Sequence, residues 1–479
     1  MQHLAALLDA ACARQPERVA LIGDAGPVRY RELDRAAAVI AGELRGAGIT
    51  RDEPVAVRVS NRAGDFAALL GAWRAGAVVV PVHRLALPAS VAEVLERTGA
   101  RFILDGDGGS VISLSRSAPP ERELLGDAAL IIFTSGTTGR PKGVVLGHAT
   151  FAGKLAAIDS PLRFDEETRT LLILQLGFSF GQWVSLLTLA RGGTLVLHER
   201  FDATRVLRTL AQERITRFGV IPTMLRALLP LLRTATEALP LQENELLAMA
   251  GGEPLAYPLG RALRDLMPRL RLWDIYGLTE TSTSDFMLAP EEQDRFPGTI
   301  GRPTPGVEFT LLDERGRAAA PGEAGELALR TPFIMQGYLD APEQTAAAFQ
   351  GGWFRTGDLA ETPSPGIVRL VGRSKELILR GGNKISPIEV ERAYLEHPGI
   401  AEALCTGLPD EKLGEAIHLL VVPLPGASLD PAALRRWARD RLERYKLPDR
   451  IHLGSAIPTG RTGKADRAAL KALLTAGKP

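Results

Sequence analysis

The 479-residue chain is long enough for about three domain-sized units, and 45% hydrophobic with 24% charged residues is an ordinary globular composition. A net charge of +1 gives no electrostatic case for nucleic acid or an anionic membrane surface, and no apolar run reaches the length of a membrane span. Met1–Ala20 scatters Asp, Arg and Glu without a signal-peptide pattern, so a cytoplasmic location is expected. Cys12 and Cys405 stand far apart in no metal or redox spacing and are expected to be buried thiols.

In chain order, periodicity predicts helices over Leu4–Arg14, Tyr30–Gly46 and Phe66–Gly76, with strands over Val19–Ile22, Pro54–Val59 and Ala77–Val82. Strands alternating with helices point to a doubly wound parallel sheet. Ala128–Phe133 reads as a buried strand and Val144–Leu146 as a second. Between them, Thr134–Gly143 is nearly all small, hydroxylated or glycine. Gly136, Gly139 and Gly143 let backbone N–H groups converge, Thr134, Ser135, Thr137 and Thr138 add hydroxyls, and Lys142 adds a compact charge, a composition that can wrap an anion. The G-x-x-x-x-G-K-[ST] phosphate loop does not match, because Pro141 precedes Lys142 and no Ser or Thr follows it. His148, just beyond, is placed to orient the following helix.

Further on, Thr168–Gln175 and Gly193–His198 are predicted strands, and Trp183–Ala190, Val206–Glu213, Pro222–Leu232 and Leu259–Met267 helices. Ala250-Gly251-Gly252-Glu253-Pro254 suggests close approach to a flat ligand, and Trp273-Asp274-Ile275-Tyr276-Gly277-Leu278-Thr279-Glu280 places two carboxylates and an aromatic ring in eight residues. Phe296–Gly306 reads as a connector into a β-rich lobe containing Val307–Leu312, Gly325–Arg330, Gln336-Gly337-Tyr338 and Trp353–Leu359. Gly372–Glu376 marks a boundary. Beyond it come a strand at Leu377–Leu379, a capping box Ser386-Pro387-Ile388-Glu389 opening a helix to Glu396, strands at Cys405–Gly407 and Ala416–Val422, a helix over Asp430–Lys446 and a polar loop over Ile457–Arg467. Only nine lysines occur among 57 basic residues, and Lys142, Lys375, Lys384 and Lys464 all fall in stretches rich in Gly, Ser, Thr or Pro, as a site needing a small ammonium would require.

Thr134–Gly143 resembles the phosphate-binding signature of the adenylate-forming superfamily of acyl-CoA synthetases, peptide-synthetase adenylation domains and luciferases. The later motifs resemble that superfamily's in the same order over essentially the whole chain. The resemblance implies an α/β fold: a large N-terminal AMP-binding domain of doubly wound sheets, residues 1–372, with a β-rich lobe at about 297–372, and a small mobile α+β C-terminal domain, 373–479. It implies ATP and Mg²⁺ as cofactors. Thr134, Ser135, Gly136, Thr137, Thr138, Gly139 and Lys142 would hold phosphates; Gly252, Glu253, Asp274, Ile275 and Tyr276 would form the adenine site, Tyr276 stacking and Asp274 accepting from the amino group. Glu280, with Thr279, would hold Mg²⁺, Asp358 the ribose hydroxyls, and Arg373 ribose or phosphate. Lys375 would be the hinge, and Lys464 would reach the substrate carboxylate and α-phosphate.

The implied reaction has two steps: a carboxylate attacks the α-phosphorus of ATP to give acyl-AMP, and a pantetheine thiol then displaces AMP. Phe178, Ser179, Phe180 and Trp183, with Gly251 and Gly277, would line the acyl pocket. Amino-acid-activating members carry Asp where Ser179 falls, and serine cannot pair an ammonium, so an aryl or short apolar acid is favoured over an α-amino acid. Core packing is the competing reading of these aromatics. CoA and the phosphopantetheine of an acyl carrier protein both stay open as acceptors, beside an amide synthetase passing acyl-AMP to an amine and a catalytically silent nucleotide-binding protein.

Overall fold

The computed structural model describes the chain except residues 1–2, 106–109, 115–116, 118, 135–140, 235–244, 321, 425, 461–464 and 477–479. Two large sheets dominate. The first runs Gly337–Tyr338, Lys142–Gly147, Ala128–Thr134, Val78–His83, Pro54–Val59, Phe102–Asp105, Ser110–Ser113, and its four central strands, Ala128–Thr134 through Phe102–Asp105, are parallel. The second runs Arg302–Pro303, Phe286–Leu288, Leu270–Tyr276, Leu246–Gly251, Arg217–Val220, Arg169–Leu172, Thr194–Leu197, Val19–Gly23, Gly26–Arg29, parallel from Leu270–Tyr276 to Val19–Gly23. Strands covered on both faces must be apolar almost throughout, as Val78–His83 and Leu246–Gly251 are.

Helices Ala63–Arg74 and Ser179–Ala190 are buried along nearly their whole length, and their side chains join residues from both sheets in one core that includes Phe66, Trp73, Leu130, Trp183 and Leu195. The first starts before the expected Phe66 because Asp65, a buried carboxylate, accepts from Ser60 N at 2.7 Å and Arg62 N at 2.9 Å and so fixes the helix entry. The strand expected over Thr168–Gln175 stops at Leu172. Past that point side chains satisfy the backbone: Asn61 Nδ2 donates to Leu174 O and Gln182 Nε2 to Leu176 O. His148 opens helix His148–Leu162 as expected, and its Nδ1 also accepts from Leu4 N at 3.3 Å while its ring stacks on His3. Burial pushes the His148 imidazole down to about 3, so it docks the N-terminal helix as a neutral ring.

A third, antiparallel sheet comprises Glu308–Leu312, Gly325–Arg330, Trp353–Ser364 and Phe349–Gln350, with Ile367–Arg373 pairing Trp353–Ser364. A fourth, built from Ile378–Arg380, Asn383–Ile385, Ile400–Asp410, Gly414–Pro423 and Arg450–Leu453, keeps a separate core around Tyr394, Ile417 and Leu419. The helix expected over Asp430–Lys446 ends at Trp437 and gives way to two 3₁₀ turns, Ala438–Asp440 and Arg444–Lys446. Pro448 excludes helical backbone at Leu447, which is extended. Half the expected capping box forms: Ser386 Oγ accepts from Glu389 N at 3.3 Å, while the Glu389 carboxylate takes the Lys446 ammonium at 2.6 Å. Both cysteines are buried. Among the described residues no helix is long and apolar enough to cross a membrane.

Candidate active site

Ligands of open α/β sheets gather at the carboxyl ends of parallel strands, and here those ends from both large sheets meet. Ala128–Thr134 and Lys142–Gly147 form a hairpin in which Thr134 and Lys142 are directly paired. Ser135, Gly136, Thr137, Thr138 and Gly139 lie outside the described residues. On one side Arg97 donates to Pro141 O at 2.5 Å, and on the other the Lys142 ammonium sits 4.4 Å from the centroid of the Tyr338 ring. Tyr338 is carried by the edge strand that pairs with Lys142–Gly147, and its hydroxyl donates to Glu280 Oε1 at 3.0 Å. Lys142 and Glu280 are thus joined through one tyrosine. Tyr338 carries no role in the sequence reading, its partners being invisible in one dimension.

Glu280 follows the strand Leu270–Tyr276 in a short 3₁₀ turn, Thr279–Thr281, and its carbonyl accepts from Met335 N at 2.7 Å. One partly exposed carboxylate beside a hydroxyl suits a hard divalent cation that arrives on phosphate oxygens and keeps several waters; among the described residues no group of three acidic, His or Cys side chains could hold a metal unaided.

A second cluster forms around Tyr276, at the end of the strand that leads into the Thr279–Thr281 turn. Asp358, buried on the strand Trp353–Ser364, accepts from the Tyr276 hydroxyl at 2.6 Å and from Arg373 Nε at 2.8 Å. Burial pushes its carboxyl up while Arg373 and Tyr276 pull it down; Arg373 is in turn held more firmly protonated by Asp358. Asp274, in register with Ala250 and Leu288, is buried, and burial pushes its carboxyl up to about 8. Ile275 is buried beside it. Gly252 is exposed in the turn after Leu246–Gly251. Glu253 is engaged by the start of helix Pro222–Thr234, accepting from Thr223 N at 3.1 Å, and Arg226 lies 3.5 Å from it.

In the acyl segment, Phe178 caps the helix Ser179–Ala190 and stays partly exposed. Ser179 Oγ lies 3.3 Å from Thr279 Oγ1, tying this segment to the Thr279–Thr281 turn. Phe180 stacks on Trp183 with centroids 5.5 Å apart, and a Cβ at Gly251 would come within 3.1 Å of the Phe180 ring. Trp183 is fully buried in the core, so it backs Phe180 rather than facing a ligand. Gly277 has no room for a side chain, since a Cβ there would meet Ser284 N at 2.0 Å. Lys375 lies in the turn between Ile367–Arg373 and Ile378–Arg380, where the third sheet passes into the fourth. Lys464 lies outside the described residues.

Comparison with known proteins places the chain beside enzymes. A family model described as AMP-binding enzyme matches residues 8–339, and one described as AMP-binding enzyme C-terminal domain matches 389–464. A feruloyl-CoA synthase of Amycolatopsis sp is 32% identical over 91% of both chains. A 2-succinylbenzoate–CoA ligase of Geobacillus kaustophilus is 31% identical over 96% of both. Among solved structures, the o-succinylbenzoate coenzyme A synthetase of Bacillus subtilis in complex with ATP and magnesium ion is 26% identical, with TM-score 0.83 over 98% of this chain and 99% of that one.

Proposed function

The chain belongs to the AMP-binding enzyme family and is an acid–thiol ligase, and from that premise we propose that it activates an aryl or short apolar carboxylic acid with MgATP and transfers the acyl group to the thiol of CoA. The observation that supports this reading is a pair of side-chain clusters, Lys142–Tyr338–Glu280 and Tyr276–Asp358–Arg373, joined by the short stretch of chain from Tyr276 to Glu280 after the parallel strand Leu270–Tyr276.

In step one a substrate carboxylate oxygen bonds to the α-phosphorus of ATP and pyrophosphate leaves. Two anions must approach, so positive charge and fixed orientation are what the protein has to supply. Lys142 stands at the root of the phosphate loop, held against the Tyr338 ring. Asp358 presents a carboxylate for the ribose hydroxyls, which would share it with Tyr276 and Arg373. Tyr276 and Asp274 offer a ring face and a hydrogen-bonding edge to adenine. Mg²⁺, held by Glu280 with Thr279, would neutralise phosphate charge. Lys464 would contact both reacting groups, and the 373–479 unit would turn about Lys375 between steps. In step two the thiol sulfur attacks the acyl carbon and AMP departs, so no enzyme nucleophile is needed.

The substrate class rests on Phe178, Phe180 and Ser179: an aromatic wall with one hydroxyl and no carboxylate for an ammonium. Feruloyl and succinylbenzoyl substrates in the names of relatives agree with an aryl acid. The test is to incubate enzyme, MgATP and cinnamic or benzoic acids without thiol, detect acyl-AMP by mass spectrometry, then chase with CoA or with a pantetheinylated carrier protein. Rapid conversion of the adenylate to acyl-CoA is expected. Conversion with the carrier alone would move the acceptor to a protein, and no adenylate from any acid would overturn the reading.

A further inference from the structure

We propose that the buried ion pair Lys154–Asp285 is a positioning device that holds the turn carrying Thr279 and Glu280 in its metal-binding shape. The inference rests on the reading of Glu280 given above. Lys154 lies on the helix His148–Leu162, wholly inside the protein, and its Nζ is 2.9 Å from Asp285 Oδ1; the two side chains are 1% and 0% exposed. Burial pushes the ammonium down and the carboxylate up, while each favours the charged form of the other. A buried ion pair is seldom more stable than an apolar pair of equal volume, so its presence asks for a positional reason.

The surroundings supply one. The second oxygen of Asp285 accepts from Leu278 N at 3.2 Å and from the Thr281 hydroxyl, the residues that bracket Thr279 and Glu280. Between Glu280 and Asp285 the chain passes through Ser282, Thr283 and Ser284 at φ 58°, 74° and 48°. Three successive left-handed residues with side chains are unfavourable and persist only where the surroundings over-determine them. Asp285 N also donates to Tyr276 O at 2.7 Å, and the Gly277 close approach to Ser284 completes the loop. The Asp285 carboxylate, at the far end of the strained stretch, therefore staples both ends of the Thr279–Glu280 segment, and Lys154 fixes the rotamer of that carboxylate from the adjoining helix. Its other neighbour is the Phe333 ring, 5.3 Å from Nζ, whose backbone carbonyl accepts from Ser282 Oγ.

Lys154→Met with Asp285→Asn removes both charges and keeps an acceptor for Leu278 N; Thr281→Val deletes one staple without touching the pair. The readout is ATP affinity by calorimetry, without acid, in excess Mg²⁺ and in EDTA. The ratio of the two affinities reports the metal. For the double variant we expect the ratio to fall ~10-fold, the usual cost of losing an outer partner of a metal ligand, with affinity in EDTA nearly unchanged and faster amide exchange across 277–285. Thr281→Val should lower the ratio in the same direction by less, and it decides the matter if the double variant does not fold. Wild-type ratios in the folded variants would overturn the proposal and leave the pair a matter of stability alone. Glu280→Gln separates the two levels: a collapsed ratio upholds Glu280 as the metal ligand, and an unchanged one removes that reading and this inference together.

Discussion

At the scale of single residues, the candidate site is held by side chains that bond to one another. Asp358, Tyr276 and Arg373 were each named for separate contacts to nucleotide, yet in the fold they form one hydrogen-bonded cluster. Tyr338 illustrates the same limit: its ring supports Lys142 and its hydroxyl orients Glu280, pairings set by strand order rather than by sequence spacing. Tyr338→Phe should therefore raise the KM for MgATP by ~10-fold, the loss of one hydrogen bond to a charged group, with the fold intact by circular dichroism; an unchanged KM would deny Tyr338 a part in the site. Asp274 gives a pH-dependent outcome. Its carboxyl is raised to about 8 in the folded chain against an ordinary value near ~3.9 when unfolded, so stability is fully present below about pH 4 and is lost as pH rises towards 8. Asp274→Asn removes the titrating group. Its melting temperature relative to the parent should rise between pH 5 and pH 9 in the absence of nucleotide, and a difference flat with pH would contradict the burial argument.

At the scale of elements, patterning was strong where one local signal dominated. Tyr30–Gly46, with its amphipathic stripe, and Gly325–Arg330, between turn residues, fell where expected to the residue. Where the bounds of Ala63–Arg74 and Arg169–Leu172 moved, a side chain satisfies backbone groups that apolar periodicity does not register. Asp65 set the start of one helix, and Asn61 and Gln182 ended one strand. Asp65→Ala leaves two backbone donors unpaired near the middle of the molecule and should cost about 1–3 kcal/mol in denaturant unfolding. A loss within error of zero would show that the helix entry is held by other contacts.

At the scale of the whole molecule, the Lys142 strand and the Thr279–Thr281 turn come from different sheets and are joined through Tyr338. What the motifs could not carry is the acid. Of the aromatic pair Phe180–Trp183, Trp183 is fully buried and belongs to the core. Lys464 is expected to serve the first step, and Lys464→Ala should slow adenylation about 100–1000-fold, the usual loss for one preorganised charge stabiliser, while thioester formation from supplied acyl-AMP is far less affected. The opposite pattern would reassign the lysine. The measurement that bears most directly on the central claim is pyrophosphate release from MgATP across aryl, short-chain and α-amino acids, with and without CoA. Release with aryl or short apolar acids, faster when CoA is present, is expected; release driven only by amino acids, or by no acid at all, would contradict the account.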